Sequence, residues 1–200
     1  MDAVHTFLDL KDSVQDSLKD FSMAELQSMN DDLVILIDSL IQRQIALVLQ
    51  SMTPNEYKWH ERFMGLAQEV STWSKDPSTQ VGCVLVKDRR VISTGFNGFP
   101  RGISDDLDRL TNREVKYEMT VHAEVNAVTT AALHGVSTDG CDAYVTFQPC
   151  SRCAAVLINA GVRAVYIKAA RDIPTRWIEN FRLACNLLTE AGIIQEHISI

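Results

Sequence analysis

The chain has 200 residues and a formal net charge of −7, with 46% hydrophobic and 22% charged residues. That composition suits one soluble domain with a full core and room for an appendage. It excludes a polybasic nucleic-acid binder, because no basic stripe runs through either part of the chain.

Residues 1–52 read as a helical extension. They hold nine acids against Lys11, Lys19 and Arg43, a net of −6, and acids interleaved with apolar residues at the start do not make a secretory signal. Ser22 and Glu25 fit a capping box, followed by Leu26, Met29, Leu33, Leu36, Leu40 and Leu47 at helical intervals. Asp38 and Arg43 interrupt that run, so no membrane span is expected. Its apolar face suits either packing on its own domain or self-association. Pro54 breaks the pattern and sets a boundary near Met52, leaving residues 53–200 as the second domain.

From there helices and strands alternate. An amphipathic helix over 56–73 carries Tyr57, Phe63, Met64, Ala67 and Val70 near one face. Val81–Val86 and Val91–Phe96 read as a hairpin across the charged turn Lys87-Asp88-Arg89-Arg90. A polar loop over 97–119 leads to an alanine-rich helix beginning near His122. Asp142–Phe147 is a strand, 150–161 a helix ended by Gly161, and Ala164–Lys168 a strand. A helix over 175–191 and a strand over 193–200 complete the order. A hairpin followed by alternating elements predicts a three-layer α/β/α sandwich on a mixed five-stranded sheet.

Two stretches carry the chemistry. Thr120–Thr130 opens with His122 and Glu124 in an otherwise apolar helix, and Cys150 and Cys153 stand three apart behind Pro149. Singly, each has a plainer reading: a satisfied core histidine, an exposed helix acid, a redox pair or a chance cysteine pair. With no secretory signal, five cysteines read as reduced thiols of a cytoplasmic protein, where a close pair favours metal or redox chemistry. Both stretches begin a helix after a loop or strand, and consecutive α/β units bring such ends to one sheet edge. One imidazole and two thiolates supply the three protein ligands of a catalytic Zn2+, with a fourth position for water. Histidine-x-Glu followed by Pro-Cys-x-x-Cys is the mark of zinc deaminases. Glu124 is then the group that takes the proton of a metal-activated water and passes it to the ring nitrogen and the leaving amine. A structural zinc would need a fourth ligand, for which Cys141 and His134 are the nearby candidates.

These motifs, with Ser74–Gly82, Ser93–Gly102 and Asp108–Glu124, resemble the deoxycytidylate (dCMP) deaminase family of cytidine-deaminase-like zinc enzymes, from about Trp59 to Ile200. Asn126 in the His-Ala-Glu-x-Asn-Ala stretch is similar to the nucleotide deaminases of this type. The resemblance implies hydrolysis of dCMP to dUMP with release of ammonia, attack falling on C4. It implies a homo-oligomer acting on a small nucleotide, and the charge balance and interrupted apolar run add the expectation of no nucleic-acid or membrane partner. It also implies contacts from Asn97 to the deoxyribose or base, from the Ala123 N–H to the pyrimidine carbonyl, and from Ser74 and Lys75 to the nucleotide. The segment 97–120 resembles the region that binds a dCTP or dTTP effector in regulated members. Trp73 stands where many relatives carry arginine, so another or 5-substituted cytosine nucleotide or nucleoside is the alternative substrate; the plainer reading of Trp73 is core. A polynucleotide deaminase would need a basic groove, which the charge balance opposes. A structural zinc or interaction protein would make the N-terminal helices the working part.

Overall fold

Alternate residues along three central strands point to opposite faces, and each face gathers its own core. The computed structural model describes residues 54–169 and 175–200, within a unit spanning Pro54–Ile200. The helices, capping box, boundary and arm expected for residues 1–52 lie outside the described residues. Helix α1 (Pro54–Ser71) is followed by strands β1 (Gly82–Lys87) and β2 (Arg90–Phe96). Short helices α2 (Leu107–Thr111) and α3 (Arg113–Met119) precede α4 (Ala123–Leu133). Then come β3 (Asp142–Val145), α5 (Ser151–Asn159), β4 (Ala164–Lys168), α6 (Ile178–Glu190) and β5 (Ile194–Ile198).

The sheet order is β2-β1-β3-β4-β5. β1 runs antiparallel to both neighbours, whereas β3, β4 and β5 run parallel. This is the expected mixed five-stranded sheet with helices on both faces. Asp88 and Arg89 make the β1–β2 turn with φ of 50° and 60°, a two-residue hairpin turn whose twist matches the strands.

Cys83, Leu85, Ala143, Val145, Val165 and Ile167 face one side, where they pack with Ala127 of α4, Leu157 of α5 and Leu188 of α6. Val84, Val86, Tyr144 and Tyr166 face the other side and pack with Phe63, Met64, Ala67 and Val70 of α1. The Tyr144 hydroxyl among those aromatics is satisfied, since its Oη lies 2.9 Å from His60 Nδ1.

Two stretches differ from the sequence expectation. The polar segment 97–119 contains α2 and α3, with the Asn112 side chain accepting from the Val115 N–H at the start of α3. Only Leu110 is buried in these two helices, so they show no apolar stripe. The last helix begins as a 3₁₀ turn over Thr175–Trp177 before α6.

Candidate active site

The site forms where α4 and α5 both begin, at the carboxyl end of β3. α4 leads away from this edge, β3 returns to it, and the chain turns through Pro149 into α5. In open α/β sheets that edge is where ligands bind.

β2 sets the position of α4. A Cβ added at Gly95 would lie 2.3 Å from the Ala127 nitrogen and 2.4 Å from the Ala123 carbonyl oxygen, so only glycine admits the helix this closely. Ser93 Oγ donates to the Ala127 carbonyl at 2.6 Å, and Asn126 Nδ2 donates to the Phe96 carbonyl at 2.7 Å. Asn126, singled out in the sequence for its family pattern, therefore brackets helix to strand.

His122 is the N-cap of α4 and makes no side-chain cap bond. Its ring turns to the sulfurs instead, with Nδ1 3.5 Å from Cys150 Sγ and 3.3 Å from Cys153 Sγ. Tetrahedral coordination at ordinary Zn–N and Zn–S lengths separates nitrogen from sulfur by about 3.5 Å. The residues fit zinc in both donor type and spacing. Among the described residues His122, Cys150 and Cys153 form the one such cluster. Cys141 lies at the start of β3 and His134 at the end of α4, so neither joins it as a fourth ligand.

Without metal, the Cys153 thiol donates to Cys150, burial works against ionisation, and His122 assists it; the Cys150 thiol is lowered to about 4. The same hydrogen bond and burial push Cys153 up. His122 is raised, first by its hydrogen bond with Cys150. The starts of α4 and α5 add positive dipole ends beside the sulfurs.

Glu124 sits in the first turn of α4 and is only 3% exposed. Burial raises its carboxyl above the ordinary range, opposed by its own backbone N–H and by His122. Burial thus favours the protonated form of this carboxyl more than water would.

These groups open into a cavity of about 370 Å3, within the usual size of a small-molecule site. Ala123 lines it, and as the first residue of α4 its N–H has no helical partner. Asn97 also lines it. Its Oδ1 accepts from the Val81 N–H at 2.7 Å and its Nδ2 donates to the Thr79 carbonyl at 2.9 Å. One amide hydrogen of Asn97 remains for a ligand.

Ser74 and Lys75 do not line the cavity. Ser74 is buried and its hydroxyl donates to the Asn97 carbonyl at 2.8 Å, so it supports the site from behind. Lys75 points to solvent and pairs with Asp105 at 2.7 Å. The next residues of that loop take the wall instead: Asp76, Ser78 and Thr79, facing Lys116 and Tyr117 of α3. Trp73 is 52% exposed, not core, and packs edge-on against Phe96 outside the cavity. Phe147, Trp177 and Phe181 form an aromatic wall, with Trp177 stacked on Phe181 at 5.8 Å. No local signal in the sequence announced Lys116, Arg176 or this wall.

A family model, the cytidine and deoxycytidylate deaminase zinc-binding region, matches residues 57–169. An uncharacterized deaminase encoded in the luxG 3' region of Aliivibrio fischeri is 44% identical over 137 residues, covering 68% of this chain and 90% of that protein. A Caenorhabditis elegans protein named "Probable deoxycytidylate deaminase" is 42% identical over 150 residues, 73% of each chain. Among solved structures, the dCMP deaminase of cyanophage S-TIM5 in complex with dCMP and dUMP superposes with a TM-score of 0.59 at 27% identity. It covers 73% of this chain and 98% of that one.

Proposed function

Because the chain belongs to the cytidine and deoxycytidylate deaminase zinc-binding family, we propose that it hydrolyses dCMP to dUMP and ammonia. The observation that carries this reading is the pairing of a three-ligand zinc cluster with buried Glu124 in one cavity. The dCMP and dUMP bound by the cyanophage enzyme support the choice of substrate.

His122, Cys150 and Cys153 would hold the metal, and three protein ligands would leave a position for water. When bound, zinc supplies the acidity that makes water a nucleophile at neutral pH. Glu124 accepts the water proton and delivers it to N3 of the cytosine. Once the water oxygen has bonded to C4, Glu124 takes the proton of the new C4 hydroxyl and passes it to the amine, so that the C4–N bond breaks, ammonia leaves and the C4–O bond becomes the carbonyl. The Ala123 N–H donates to the pyrimidine carbonyl, and the remaining amide hydrogen of Asn97 donates to the sugar. Phe147, Trp177 and Phe181 exclude water from the base.

The coarser reading is a small-nucleotide enzyme without nucleic-acid or membrane partners. No helix among the described residues is long and apolar enough to cross a membrane. All five cysteines are free thiols, which supports a cytoplasmic setting. A homo-oligomer and a dCTP or dTTP effector on 97–120 belong to the proposal by resemblance. Part of that segment's charge is already paired, with Asp105 on Lys75 and Asp106 on Arg109.

Ammonia release across dCMP, dCTP, deoxycytidine, 5-substituted dCMP and single-stranded DNA tests the reading. dCMP is expected to be the best substrate. Release from single-stranded DNA alone would overturn the assignment.

A further inference from the structure

The charges lining the cavity balance unevenly. Asp76 and Lys116 neutralise each other at 3.0 Å, with side chains only 7% and 11% exposed. That leaves Arg176 as the cavity cation that no carboxylate pairs with among the described residues. It reaches the wall from the 3₁₀ turn before α6, beyond the span that the family model matches.

Its position relative to the metal cluster is fixed by a clamp. The Ser151 N–H donates to Asn180 Oδ1 at 2.9 Å, and Asn180 Nδ2 donates to Ser151 Oγ at 3.1 Å. This ties the first turn of α6 to the residue after Cys150, in the turn that carries both sulfurs. Trp177, next to Arg176, is held by its stack on Phe181. Tyr117, whose hydroxyl accepts from Arg113 Nε at 3.1 Å, lines the same cavity.

We infer that Arg176 is the specificity-determining anchor for the 5′-phosphate of a nucleoside monophosphate, an assignment that rests on the deaminase reading for its base. A guanidinium presents two parallel N–H donors that match two phosphate oxygens. Thr79 brings a hydroxyl to the same cavity, whereas that of Ser78 is spent on Asp76. Lys116 uses two of its three N–H donors, on Asp76 at 3.0 Å and Ser78 at 2.6 Å, leaving one. A phosphate placed in this cavity of about 370 Å3 would find donors on both walls.

The test compares wild type, Arg176→Ala and Arg176→Lys on dCMP and deoxycytidine, with zinc content as a check that the site is intact. The ratio of kcat/KM for dCMP over deoxycytidine should fall about 30- to 100-fold in Arg176→Ala, mostly through KM, and recover in part in Arg176→Lys. An unchanged ratio overturns the assignment, as does a wild type that treats the two substrates alike. Calorimetric binding of dUMP against deoxyuridine reads the same contact without turnover. A dUMP preference lost in Arg176→Ala, in a wild type that releases ammonia from neither substrate, would sink the deamination reading while supporting the phosphate anchor.

Discussion

Gly95 of β2 and Ala127 of α4 approach so closely that a Cβ on Gly95 would stand 2.3 Å from the Ala127 backbone nitrogen. The obstacle is backbone, which cannot swing aside as a side chain can. Gly95→Ala must displace α4, which carries His122 and Glu124. A loss of about 2–3 kcal/mol is expected from the overpacking, with reduced zinc retention. Thermal melts and zinc analysis of the variant check both; an unchanged melting temperature would show that the contact yields freely.

Gly65 offers the opposite case. It lies inside α1, is exposed, and an added Cβ would meet nothing within 4 Å. Gly65→Ala should therefore stabilise the protein by about 0.5–1 kcal/mol through helix propensity, without altering turnover. A denaturant melt monitored by circular dichroism measures it.

Much of this architecture is local, and so was legible in the sequence. The apolar runs Cys83–Val86 and Ala143–Val145 read as strands, and the structure buries them on both faces of the sheet. The spacings His122-x-Glu124 and Cys150-x-x-Cys153 put the proposed ligands and proton carrier at the starts of two helices, where the structure has these residues. What escaped depends on distance or irregular backbone. Asp76 and Lys116 lie 40 residues apart, and no spacing rule joins them. Ser74, Lys75, Asp76 and Ser78 share one loop, where no periodicity says which side chain faces the cavity. The structure turns Asp76 and Ser78 inward, buries Ser74 behind Asn97 and sends Lys75 to solvent. Trp73 read equally well as core, yet more than half of it is exposed.

The roles of Glu124 and the cysteines separate cleanly. Glu124→Gln removes the proton carrier and no ligand, so zinc content and folding should persist while turnover falls about 10²- to 10⁴-fold. Near-normal turnover would assign the proton to another group.

Cys150→Ser and Cys153→Ser each remove a thiolate from a three-ligand set. Zinc content and activity should fall together in both. Because bound metal stabilises the folded state by linkage, chelation should lower the melting temperature of wild type more than that of either variant. Full zinc retention in both variants would exclude this ligand assignment.

The Asp76–Lys116 pair sets an acid limit to stability. Burial raises the Asp76 carboxyl, but donation from the Ser78 N–H and hydroxyl, Lys116 and the Thr79 N–H outweighs it, and the folded-state pKa lies below the ordinary value. A depressed carboxylate contributes stability that is fully present above its unfolded pKa, about 3.9. That contribution drains away as pH falls through the lower folded-state value. Asp76→Asn keeps the shape and loses the charge, so the stability gap between wild type and variant should be constant from pH 7 to about pH 5 and close below about pH 4. Urea melts of both proteins across that range measure the gap directly. A gap that stays constant down to pH 3 would mean that the Asp76 charge contributes nothing and that packing alone holds the loop.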